Sequence, residues 1–157
     1  MRATTVLIAA LGLAIAGNVT AATADPVIKK QLDALKLKYE VDSDGDYKIV
    51  MDVGDGRTQL AYVRSSTETY GTNQVREIWS PGYKGTTEVL PERVANRLLE
   101  YSNGVKLGGW VKQKSYAVFV VKIPTSAGAA ELSDAINAAV KSADEIEQEF
   151  TGKKDEL

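Results

Sequence analysis

Five aspartates, Asp42, Asp44, Asp46, Asp52 and Asp55, crowd into one short stretch and are the residues best placed by type and spacing to do chemistry. Neighbouring carboxylates can divide acid and base roles between them, the arrangement used to cleave glycosidic and related bonds. The same stretch, D-S-D-G-D, invites a calcium reading. Set on an EF-hand loop, Asp42, Asp44 and Asp46 occupy the first three ligand positions. The sixth position then holds Tyr47 where the sharp turn needs glycine, and the twelfth holds Val53 where a bidentate glutamate closes the site. Such a loop cannot wrap an ion. Asp and Gly are also the residues that turns prefer, so the stretch reads first as a helix-to-strand turn. A small hydrolase or lyase using the carboxylates near Asp42–Asp46 is the alternative.

Composition removes most other chemistry. The chain of 157 residues contains no histidine and no cysteine. That excludes Ser-His-Asp and Cys-His nucleophilic mechanisms, cysteine zinc sites and disulfides. A formal net charge of −2 gives no basic field to favour nucleic acid. Neither catalytic residues, metal ligands nor a cofactor are therefore expected. Trp79, Tyr83 and Trp110, near strand ends, are the candidate contact surface for a protein or peptide partner, against the plainer reading of both tryptophans as core.

The elements that must position these residues follow from periodicity. Residues 1–24 have the form of a signal peptide: Arg2, an apolar stretch from Val6 to Ala16, and Ala22-Thr23-Ala24 before a cleavage between Ala24 and Asp25. The apolar run is too short to span a bilayer, so no stable membrane anchor is expected after cleavage. Export points to a periplasmic or secreted protein. The last four residues, Lys154-Asp155-Glu156-Leu157, match the ER retention signal, an address that applies only in a eukaryotic cell.

Residues 25–157 read as a single domain. Asp25 and Pro26 open a helix whose stripe Ile28, Leu32, Leu35, Tyr39 carries it towards residue 39. Alternation predicts strands over 47–53, 60–64 and 74–80, with a polar loop over 67–72 and a stop at Pro81-Gly82. A second helix is expected over 91–102, a strand over 107–113, and a helix over 129–150 with a broad apolar stripe. Between the last two lies Tyr116–Pro124, a continuous apolar run suited to a strand buried on both faces. Alternation puts Phe119, Val121 and Ile123 on one of its faces and Val118, Val120 and Lys122 on the other. The expected fold is α+β, an antiparallel five-stranded sheet in the order α-β-β-β-α-β-β-α with helices packed on it.

With that order in hand, the chain resembles the YbjN family of bacterial proteins, whose fold is similar to type III secretion chaperones. The residues carrying the likeness are Asp44-Gly45-Asp46-Tyr47, the run V-A-N-R-L-L-E-Y-S-N-G-V-K-L-G from Val94 to Gly108, the strand end V-V-K-I-P, and A-D-E-I-E-Q-E-F in the last helix. The resemblance implies a non-enzymatic sensory or regulatory module acting through protein contacts, with no catalytic residues to carry over. It also makes a homodimer, through an edge strand or the outer sheet face, an expectation to test.

Overall fold

The structure, a computed structural model, describes residues 23–152, 154, 155 and 157. The signal-peptide reading falls almost wholly on residues 1–22, outside the described part. Among the described residues no helix is long and apolar enough to cross a membrane.

The architecture is α+β with an antiparallel sheet and three helices, but the sheet has six strands where five were expected. In chain order the elements are α1 (Pro26–Ala34), β1 (Glu40–Val41), β2 (Tyr47–Gly54), β3 (Arg57–Tyr70), β4 (Asn73–Lys84), α2 (Glu92–Gly104), β5 (Gly109–Gln113), β6 (Tyr116–Pro124) and α3 (Ala129–Thr151). The sheet order is β1-β2-β3-β4-β6-β5.

The extra strand is a consequence of where α1 stops. Lys36 takes φ 57°, its N–H bonds Asp33 O, and Leu37 N–H reaches back to Leu32 O. That pair of bonds ends a helix by turning its last carbonyls inward. The stripe through Tyr39 is thus cut at Ala34, and Glu40 and Val41 are released to pair with Lys48 and Tyr47. A two-residue strand shows no alternation, so it leaves no signature in sequence. Asp42–Asp46 is consequently a hairpin turn between two strands rather than a link from helix to strand.

Two further boundaries move. The polar segment expected to be a loop continues β3 to Tyr70, paired with the start of β4 in a ribbon exposed on both faces, where no apolar alternation is needed. And β4 runs through Pro81 to Lys84, because a register shift between Pro81 and Tyr83 absorbs the proline. Gly82 sits where the structure is tightest: a Cβ there would lie 2.4 Å from the Trp110 ring and 2.9 Å from Ala143 O.

All three helices cover one face of the sheet. α3 packs on β2, β3, β4 and β6, α2 on β5, and α1 on α3. Beneath them Tyr47, Ile49, Ala61, Val63, Ile78, Phe119 and Val121 meet Ile28 and Leu32 of α1 and Leu132, Ala135, Ile136, Ala139 and Val140 of α3. Each large member gains about 1.5–3 kcal/mol from full burial. The expected split of β6 holds, with Phe119 and Val121 in this core and Val118 and Val120 on the opposite face. Among the described residues no helix lies over that opposite face.

Candidate functional site

The helix-free face is built from the alternate residues of the strands. Cross-strand register aligns Tyr62 of β3 with Trp79 of β4, Trp79 and Pro81 with Val120 and Val118 of β6, and Val118 with Val111 of β5. Where Leu60, Tyr62, Trp79, Pro81, Val111, Tyr116 and Val118 converge, the sheet forms an open hollow of about 850 Å³. Among the described residues its polar lining is cationic or neutral: Lys84, Lys112, Lys114 and Gln113. Lys84 lies over the Tyr116 ring, 5.4 Å from its centroid. A sheet face that carries aromatic and branched side chains without a covering layer is the surface composition of a contact site, not of a solvated sheet face.

Trp79 is the best-positioned side chain of this face. Its indole N–H donates to Glu77 Oε2 at 2.7 Å, and the Arg64 guanidinium stacks over the ring, 4.2 Å from the centroid. Arg64 is held in turn by Asp46, whose Oδ2 lies 2.6 Å from Nε, while Asp46 Oδ1 accepts the Ser65 N–H at 2.7 Å. On the other side Lys122 pairs with Glu77 Oε1 at 2.8 Å. Burial alone would raise the Glu77 carboxyl, but the hydrogen bonds from Lys122 and Trp79 outweigh it and hold it below the ordinary carboxylate range. Asp46 goes the other way: burial raises it more than Ser65 and Arg64 lower it. A chain of charged and hydrogen-bonded contacts therefore fixes one aromatic ring on the open face, and rigid aromatic anchors bind partners at low entropic cost.

This gives the aspartate cluster its role. Asp42 Oδ1 accepts the N–H groups of Asp44 and Asp46 at 2.9 and 3.0 Å, closing the turn on itself, and Asp52 Oδ1 does the same for Gly54 at 2.8 Å. The carboxylates of Asp42, Asp46 and Asp52 accept backbone amides, that of Asp46 also pairs with Arg64, and among the described residues no group of three or more acids is arranged to hold a metal ion.

The three aromatics singled out from sequence separate. Trp79 faces the hollow. Trp110 sits on the helix-covered side, edge-on to Phe119 at 5.4 Å and to Tyr101 at 6.2 Å. Tyr83, also on that side, meets Phe150 edge-on at 5.5 Å. Of the cleavage pair, Ala24 packs on the core, while Asp25 caps α1 by accepting the Val27 N–H and binds Arg76 at 2.5 Å.

Reasoning from sequence missed the partners of the acidic last helix. Arg57 of β3, only 8% exposed, bonds Asp144 and Glu147, each at 2.9 Å, and Glu147 is fully buried. Burial alone would lower the Arg57 pKa, but the bonded Asp144 and the charges of Glu147 and Asp155 raise it overall. Arg97 of α2 clasps Glu149 at 2.9 Å. The sequence signal was the strand's first residue, an arginine at an inward position, which alternation alone does not interpret.

No family model matches the chain, and no curated protein does.

Proposed function

We propose that this protein is an exported, non-enzymatic binding module that engages a protein or peptide segment on the helix-free face of its sheet. The observation that carries this reading is the 850 Å³ hollow on the sheet face that none of the described helices covers, floored by Trp79, Tyr62 and Val118 and rimmed by lysines. Its size lies within the range of ligand-binding clefts. The motifs quoted for the YbjN-like, type III chaperone-like comparison support the same kind of role, contact without chemistry. Export rests on the leader-like residues 1–24. The hydrolase or lyase alternative would need free carboxylates at Asp42–Asp46, and the use of Asp42 and Asp46 as acceptors for backbone amides favours the binding reading.

A random peptide display library selected on the wild-type protein tests this, with Val111→Glu as the counter-selection. Val111 is 42% exposed on an edge strand, so the substitution places a charge in the hollow without entering the core. Selected peptides are expected to lose at least about tenfold in affinity for V111E, the cost of desolvating a charge against an apolar ligand. Selection that yields only peptides indifferent to V111E would end the proposal.

Self-association is a second reading, favoured by one observation. The outer edge of β5 has no strand partner among the described residues, and beside it Val111, Leu99 and Val89 line an apolar hollow of about 310 Å³. Sedimentation at two well-separated concentrations is expected to show mass rising with concentration if β5 pairs with a second copy; a monomer at both rules out a tight dimer.

A further inference from the structure

The hollow is electrically lopsided along the strands. At its Trp79 end the flanking cations are matched: Arg64 pairs with Asp46 and Lys122 with Glu77. At the opposite end Lys84, Lys112 and Lys114 line the hollow, and among the described residues none of them has a carboxylate partner. Topology gathers them there. Gln113 pairs with Tyr116 and Tyr116 with Lys84, while Lys114, at φ 53°, turns β5 into β6. Three unmatched cations beside an apolar floor, in a chain of net charge −2, make a local positive field that attracts an anion.

The distance from that field to the apolar floor is set by β6. On the open face Tyr116 shares a row with Lys84 and Gln113, Val118 with Pro81 and Val111, and Val120 with Trp79. Alternate residues of a strand are about 6.7 Å apart, so the cationic row lies about 7 Å from the Pro81–Val111 row and about 13 Å from Trp79. An extended segment laid along the strands has the same period, and its side chains at every second position face the sheet.

From this match of periods we infer that the hollow selects an extended peptide segment in which an aspartate or glutamate stands two and four positions from a pair of aromatic or branched aliphatic residues. The inference rests on the proposed binding role of the open face and names its ligand chemistry. The apolar pair packs over Val118 and beside Trp79, and the carboxylate reaches the lysines. A basic residue in the acid's place meets three like charges, and an acid at an odd spacing points away from the sheet.

The test takes the display-selected peptides that lose affinity for V111E and resynthesises each in three forms: as selected, with the acid replaced by its amide counterpart, and with the acid moved by one position. Each form is titrated into wild type and into the triple variant Lys84→Gln/Lys112→Gln/Lys114→Gln. Against wild type the amide and shifted forms are each expected to bind about tenfold more weakly, the sum of several exposed charge contacts. Against the triple variant the three forms should bind alike, and raising salt to about 0.5 M should narrow the wild-type difference. All three lysines are exposed, so their replacement leaves the core intact. Lys114→Gln alone, expected to cost the acidic form about twofold, carries the test if the triple variant does not fold. Val111-dependent peptides with no acid at an even spacing, or whose acid is worth as much on the triple variant as on wild type, overturn the inference and leave the binding reading standing. If no selected peptide depends on Val111, both fall.

Discussion

Arg57→Ala is expected to destabilise the protein by about 3–5 kcal/mol, the largest effect of any single polar substitution we foresee. The guanidinium is buried between Asp144 and Glu147, both of which it bonds. Its removal leaves two carboxylates in a site with little water and no guanidinium to balance them. Against a typical total of about 5–15 kcal/mol, that loss is a large fraction of the fold's stability. Thermal unfolding should shift down by on the order of 10 °C. Replacing all three residues by apolar ones of similar volume (Arg57→Met, Asp144→Leu, Glu147→Leu) should return most of the loss. Denaturant melts at pH 7 check both statements; a variant as stable as wild type would show that the cluster holds nothing together.

Trp79→Ala should affect binding far more than folding. Tryptophan truncations at the centre of an interface commonly cost 2 kcal/mol or more, about thirtyfold in affinity. The ring lies on the face away from the helices, so the main structural loss is the Arg64 stack, worth about 0.5–1 kcal/mol at an accessible site. Trp79→Phe keeps a flat apolar ring and should retain most of the affinity. Asp46→Asn acts one step back: it frees Arg64, and through it the orientation of Trp79, so its binding loss should be smaller than that of Trp79→Ala. Titration of a display-selected peptide into the four proteins measures the series. Equal affinity of Trp79→Ala and wild type would remove Trp79 from the site.

The parts of this fold visible in the amino-acid sequence are those with a period. The stripe of α3 and the alternation along β2 and β6 each commit one face to a core, so element type and inward residues follow directly. What has no period was hidden. The two-residue β1 is too short to alternate, α1 ends where Lys36 adopts a left-handed conformation that lysine does not announce, and the β3–β4 ribbon is polar on both faces. The site was half visible for the same reason. Trp79 could be named, but not told apart from Trp110, because the distinction lies in which sheet face the helices cover. That is settled by the connections, which place α1, α2 and α3 all on the Phe119 side. The aspartate turn stood out for its composition, and its part in the site, holding Arg64 over Trp79, depends on a contact from the β1–β2 turn to β3.

The central claim is that the helix-free face receives the partner. Mapping amide chemical shifts of the isotope-labelled protein during titration with a display-selected peptide tests it most directly. The account predicts that the largest changes fall on Leu60, Tyr62, Trp79, Val111 and Val118, while the helix-side residues Ile28, Leu132 and Ile136 stay in place. Changes centred on those helix-side residues, with the open face unmoved, would contradict it.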